Sequence, residues 1–237
     1  MKKISCVIAF LFILISCNNQ TKENTSTEEG NIDLVASKDC TRETTFGDLD
    51  ICFPKIEGQT ECYLHANVNA RVNQFNDPEN TILGYYLNNS VYEKVENLEG
   101  ISYDDYYQIY APNLAKNYTM SVAEMNQIMT MMTSGFLDKT MEDVNKSNSF
   151  SGKNLSIQQP MLIEKYPLNA NSSTMIVLMR ITNDTEDKVM AFSMNAVLVK
   201  KRIVFVAYYL NFDGEQSLTK LKSNTANFVA KFMEANN

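Results

Sequence analysis

The stretch from Thr174 to Met233 constrains the fold more than any other part of the chain. Thr174–Thr182 (TMIVLMRIT) is almost continuously apolar, and Ile203–Phe212 (IVFVAYYLNF) is apolar on both sides. Between them Val189–Val199 alternates, with Met190, Phe192, Met194, Ala196 and Leu198 on one side. Short polar breaks join the three runs, the pattern of an antiparallel meander. From Ser217 to Met233 the spacing becomes helical: Leu218, Leu221, Phe228, Val229, Phe232 and Met233 fall toward one face. A sheet and a helix able to cover it form the frame for everything upstream.

Upstream, Phe46–Pro54 alternates Leu49, Ile51 and Phe53 against Asp48, Asp50 and Cys52, which predicts a half-buried strand ended by Pro54, with Gly58 opening the return. Cys62–Phe75 carries apolar residues about four apart and admits a short helix. Thr81–Leu87 and Asp104–Ala111 read as strands, the second with Tyr107 and Ile109 on one face and Tyr106 and Tyr110 on the other. Asn88 caps a short helical turn between them. Ser121–Phe136 is a helix opened by a Ser121/Glu124 capping box, with Val122, Met125, Ile128, Met129, Met132 and Phe136 as its apolar stripe. Leu137–Phe150 is partly helical at best. Leu155–Tyr166 is extended but contains Pro160, so it is an edge or bulged strand. Asp213 and Gln216 are the expected capping pair of the final helix.

The predicted class is α+β, an antiparallel sheet flanked by helices. The element order, the last hairpin followed by a terminal helix, and the segment IVFVAYYLNFDGEQS resemble the PsbP-like fold group. That resemblance implies an α/β/α sandwich over Phe46–Asn236. It also implies a mostly non-catalytic role, since the group includes photosystem subunits and a GTPase release factor. A glycine would suit the tight turn at Lys200-Lys201-Arg202, and none is present there.

The N-terminus has a different character. Lys2 and Lys3 precede an apolar run, Ile4–Ile15, of signal-peptide length, which ends in Leu14-Ile15-Ser16-Cys17. This resembles the lipobox of bacterial lipoproteins, in which the cysteine becomes the lipid-modified first residue. The expected organisation is a signal peptide (1–16), a lipidated Cys17 with a flexible tether (17–36), and one globular domain (37–237). Asn18 rather than aspartate follows Cys17, which favours the outer membrane over the inner. Cleavage removes two lysines and takes the formal charge from −7 to −9. So acidic a chain lacks the basic footprint of a nucleic-acid binder.

Of five cysteines, Cys40, Cys52 and Cys62 remain in the exported domain, where disulfides persist. Cys52–Cys62, closing a loop over Gly58, is the expected bridge; Cys40 paired with either is the alternative. With His65 the same cysteines could form a Cys₃His zinc site, but the paired Cys-x-x-Cys knuckle is missing. His65 is the single histidine. With no Gly-x-Ser-x-Gly elbow and no phosphate-binding glycine motif, no catalytic residue, metal or cofactor is assigned. The methionines of the 120–132 helix and of the meander read as core filler, with an adaptable groove or a copper site as alternatives.

Tyrosines are the better functional hint. Tyr85, Tyr106 and Tyr110 lie on strands with tyrosine on both faces. The simpler reading has their rings under helices with hydroxyls reaching water; the functional reading leaves one such face open to a partner. The expected function is a non-enzymatic, membrane-anchored protein-binding or assembly module of the cell envelope, whose partner is another envelope protein. The alternatives are a small hydrolase or lyase, or a small-ligand or lipid carrier, on the same scaffold. The anchor makes a direct prediction: Cys17→Ser releases the chain from the membrane fraction or leaves it uncleaved. A processed mutant that still needs detergent for extraction would show the lipobox reading to be wrong.

Overall fold

The computed structural model describes residues 40–74, 76–95, 103–136, 156–158, 160–182 and 187–237. The expected signal peptide, the lipidation site Cys17, the tether and the whole of Leu137–Phe150 lie outside them. Residues Ser37–Asn237 form one unit, and its core runs from Phe46 to Phe232.

The meander forms as its periodicity predicts. Strands β8 (Ser172–Thr182), β9 (Asp187–Val199) and β10 (Arg202–Asn211) are consecutive antiparallel neighbours. Upstream of them come β1 (Cys40–Phe46), β2 (Leu49–Pro54), β3 (Gln59–Glu61), β4 (Asn80–Asn88), β5 (Asp105–Pro112), β6 (Ser156–Ile157) and β7 (Met161–Asn169). The helices are α1 (Ala66–Gln74), α2 (Asn89–Tyr92), α3 (Val122–Met131) and α4 (Glu215–Asn236). The main sheet runs β3-β4-β5-β10-β9-β8-β6, with β7 also on the outer side of β8, so the α+β expectation holds. Pro160 falls between β6 and β7, where no ladder bond is lost, and β7 carries two register shifts. Among the described residues no helix is long and apolar enough to cross a membrane.

Helices cover both faces. On one, Leu221, Phe228, Val229 and Phe232 of α4 are fully buried. On the other, Val68 and Val72 of α1 pack with Ile82, Tyr85 and Leu87 of β4, while Met125 and Met129 of α3 are buried near β8 and β9. Neighbouring residues of β7 register the two sides, because adjacent strand residues point oppositely. Glu164 pairs with Lys222 of α4, and Lys165 donates to Thr130 of α3 at 2.7 Å.

Several local expectations are corrected. Phe46–Pro54 is not one strand. Gly47, at φ +66°, turns the chain between β1 and β2, which form a separate hairpin. β1 (CTRETTF) has no apolar period to announce it. The hairpin lies on the α4 side: Phe53 presses on Gly84, where a Cβ would sit 2.3 Å from the ring. The disulfide is Cys40–Cys52, not Cys52–Cys62, with Cα atoms 5.4 Å apart. Cys40 lies opposite Pro54 across a register shift in the β1–β2 hairpin, within reach of Cys52 on the same strand as Pro54, whereas Cys62 is a free thiol buried with Tyr85 on the sheet's other face. The bridge also takes two of the four candidate zinc ligands. The Ser121/Glu124 capping box forms, but Val122 is exposed and Leu64 is exposed beside α1. At α4, the carboxylate of Asp213 takes the hydroxyl of Ser217 rather than pairing with Gln216. Leu178 is half-buried where full burial is expected of a central strand.

The packing gives a stability prediction. Phe228→Ala removes a fully buried ring and costs about 3–5 kcal/mol. Lys222→Ala loses only a surface ion pair with Glu164, worth less than about 1 kcal/mol. Urea midpoints of the two variants measure the difference; equal midpoints would mean that α4 does not dock as described.

Candidate functional site

Strand alternation sorts the tyrosines into two sets. Tyr86, Tyr107 and Tyr208 face α4. Tyr85, Tyr106, Tyr110 and Tyr209 face the other way. There the rings stack across strands, each over its neighbour: Tyr85 to Tyr106 at 5.3 Å, Tyr106 to Tyr209 at 4.7 Å, and Tyr209 to Phe192 at 5.5 Å between centroids. A second row pairs Tyr110 with Phe205 at 5.3 Å, and the Tyr110 hydroxyl lies 3.6 Å from the Met194 sulfur. Such cross-strand pairs are the natural unit of sheet stabilisation, so the rows need no ligand to explain them.

What the rows do not explain is their exposure. Tyr106, Gln108 and Tyr110 of β5, Tyr209 of β10 and Met194 of β9 are all half-buried, although their strands are central in the sheet. They lie between the part of the face under α1 and the part under α3. Tyr106 and Tyr110 share one face of β5, as alternation predicts, and both are half-buried. Tyr85 is corrected: it is 4% exposed, beneath Val68 and Val72, and belongs to the core. Tyr209, Gln108 and Met194 join the patch, although the sequence alone does not group them with Tyr106 and Tyr110. The alternation of each strand is legible in the sequence; the order β5-β10-β9 that makes these residues neighbours is not. At the α1 margin, Tyr103 meets Tyr106 edge-on at 6.3 Å, and the Arg71 guanidinium sits 3.9 Å above the Tyr103 ring.

Burial holds the phenols of this face neutral. It raises Tyr85, Tyr106 and Tyr110 well above the ordinary phenol value and pushes Tyr209 up to about 12. The buried Cys62 thiol is also pushed up to about 12, chiefly by desolvation and then by Glu61, so it is no nucleophile near neutral pH.

A polar cluster lies on the opposite face. Asp105 accepts from the Tyr208 hydroxyl at 2.9 Å, from Lys220 at 2.7 Å and from Gln59 at 3.2 Å. Asn224 in turn donates to the Tyr208 oxygen at 2.9 Å. Beside Lys220 is a shallow open depression lined also by Glu215, Gln216, Thr219 and Ser223. Asp105 is therefore a tie between α4 and the sheet. Its one carboxylate is already satisfied by three donors. His65, the sole histidine, lies edge-on to Tyr92 at 6.0 Å. Among the described residues no three His, Cys, Asp or Glu side chains gather to hold a metal.

No protein-family model matches the chain, and no curated protein matches it.

The raised phenols fix a pH dependence. In the unfolded chain tyrosine titrates near 10; in the fold Tyr209 holds its proton to about 12. Between these values the unfolded state binds fewer protons, so stability is fully present below pH 10 and falls as pH rises toward 12. The urea midpoint should drop over that window, and Tyr209→Phe should drop less. An identical decline in both would mean that Tyr209 keeps its ordinary phenol titration in the fold.

Proposed function

We propose that this chain is a lipid-anchored protein of the bacterial envelope whose domain binds another envelope protein through its half-open tyrosine face. The observation that carries the reading is the contiguous patch of Tyr106, Gln108, Tyr110, Tyr209 and Met194 at the centre of a sheet. Tyrosine gives large contact area at low side-chain entropy cost, methionine adapts to a partner's shape, and both are enriched in protein interfaces. The opposite face is occupied by α4 and is packed as a core. The lipobox at Leu14–Cys17 supports the envelope location and the membrane attachment through Cys17.

The same reading takes the architecture as PsbP-like. A last hairpin, β9–β10, feeds a long terminal helix that covers one face, and shorter helices lie on the other. The non-catalytic role follows from that analogy at the level of fold only.

Site-specific photo-crosslinking tests the reading in cells. A crosslinker at Gln108 should give a discrete protein adduct, and one at Asn227, exposed on α4, should not. Tyr209→Ala should weaken the Gln108 adduct. No adduct at Gln108, or the same products from both positions, would remove the basis for a binding face.

A further inference from the structure

Loops from separate parts of the chain meet at one end of the fold. The β1–β2 turn packs on the 3₁₀ turn Asn113–Asn117 so closely that a Cβ on Gly47 would lie 2.2 Å from the Lys116 carbonyl oxygen. Asp48 of the same turn accepts from Arg202 at 2.9 Å. The two-residue turn between β9 and β10 is held to the start of α3, where the amide of Met120 donates to the carbonyl of Lys201 at 2.7 Å. Lys116, Lys200, Lys201 and Arg202 are thus brought together in a chain whose formal charge is −7. Arg202 is buried and reaches Asp48 through Nη2 alone; the three lysines are exposed. Glu124, the acidic residue of the α3 cap, is engaged by Ser121 and Tyr118.

Two features of this end break local rules. Lys200 and Lys201 both have positive φ, 45° and 66°. A two-residue hairpin turn of this kind favours Asn-Gly, and lysine there is strained. The turn holds two charges at its apex at the expense of its own backbone. Leu114, in the 3₁₀ turn beside Lys116, is 71% exposed, and Val122 at the start of α3 is also exposed. Lysine is depleted from the cores of protein interfaces. Lysines around a protruding leucine match a bilayer surface instead, where the apolar side chain enters the headgroup boundary and the ammonium groups reach phosphate.

We propose that this end is a second membrane contact: Leu114 inserts into the headgroup region of an anionic bilayer, and Lys116, Lys200 and Lys201 pair with lipid phosphates. The lipid on Cys17 would hold the chain at the membrane; this contact would set the domain's orientation there. An acidic domain is repelled by an anionic surface everywhere except at such an end. The tyrosine face is built from other residues, so it is free to engage a partner while the domain is so oriented.

The chain contains no tryptophan, so Leu114→Trp in the full chain gives a single reporter. The probes are vesicles of phosphatidylcholine alone or mixed with phosphatidylglycerol. Emission should move to shorter wavelength, and be quenched by brominated acyl chains, on the mixed vesicles only. Adding Lys200→Asn and Lys201→Gly should weaken this partitioning roughly thirtyfold, through loss of two lysine–headgroup contacts. The same pair should raise the urea midpoint by relieving the turn, which separates the membrane role from a structural one. The location at a membrane rests on the lipoprotein reading, and sedimentation with vesicles reports that separately. Water-like emission on mixed vesicles overturns the proposal whether or not the chain sediments. So does an equal shift on neutral vesicles, an Asn-Gly variant that partitions as tightly as the parent, or a shift produced by envelope proteins and not by lipid.

Discussion

A chain of stacked rings ties the sheet, the terminal helix and the N-terminal hairpin into one body. Tyr208 of β10 stacks on Tyr107 of β5 at 4.1 Å, and Tyr107 on Phe228 of α4 at 4.3 Å. Phe228 leads to Phe232 at 6.2 Å, and Phe232 to Phe53 of β2 at 6.3 Å. Tyr86 of β4 meets Phe228 edge-on at 5.0 Å. Each contact is modest beyond its buried area, but together they span three elements that no backbone ladder joins. Polar pairs set the register. The buried Asn236 side chain accepts from the Cys52 amide and donates to the Cys52 carbonyl, both at 2.8 Å, so an amide at the end of α4 stands in for a strand partner. Ser193 and Thr225 share a buried hydrogen bond at 2.6 Å, and Asp105 joins Tyr208 to Lys220. The Cys40–Cys52 bridge extends this connection to the first described residue of the domain.

This arrangement divides the two faces of the sheet. The α4 face is filled by rings from sheet, helix and hairpin, and α4 supplies hydrogen-bond partners to Ser193, Tyr208 and the Cys52 backbone. The other face is covered at two places by short helices and left half-open between them, along Tyr106, Gln108, Tyr110, Tyr209 and Met194. A long helix can bury one face well enough to sustain a domain of this size. The second face is then released from that duty, and tyrosines that would otherwise be core become a surface suited to recognition.

The meander and α4 were legible because they are long and their periods are clean: Met190 to Leu198 alternate without a break, and Phe228 and Phe232 are one helical turn apart. The Ser121/Glu124 cap was legible because its chemistry is local. β1 was missed because CTRETTF owes its strand to pairing with β2 and to Arg42, whose guanidinium reaches Glu61 at 2.8 Å; neither partner is visible in its own pattern. The disulfide is not legible because Cys40 and Cys62 stand at similar distances from Cys52 in sequence, and the deciding fact is which side of the sheet each thiol occupies. Tyr85 and Tyr106 look alike in sequence, and only the placement of α1 makes one of them core. The basic end is not legible in the sequence, since its parts, Gly47, Leu114, Lys116 and Lys200, are far apart in the chain.

The division between the faces is tested most directly by removing one ring from each side of the same strand pair. Tyr107→Ala and Tyr209→Ala each delete a stacked tyrosine, the first fully buried against Phe228 and the second half-open. Urea unfolding of the two variants should show Tyr107→Ala costing about 3–5 kcal/mol and Tyr209→Ala costing less than about half of that, with the fold retained. Equal losses would contradict the account, because the tyrosine face would then be as much a part of the core as the face under α4.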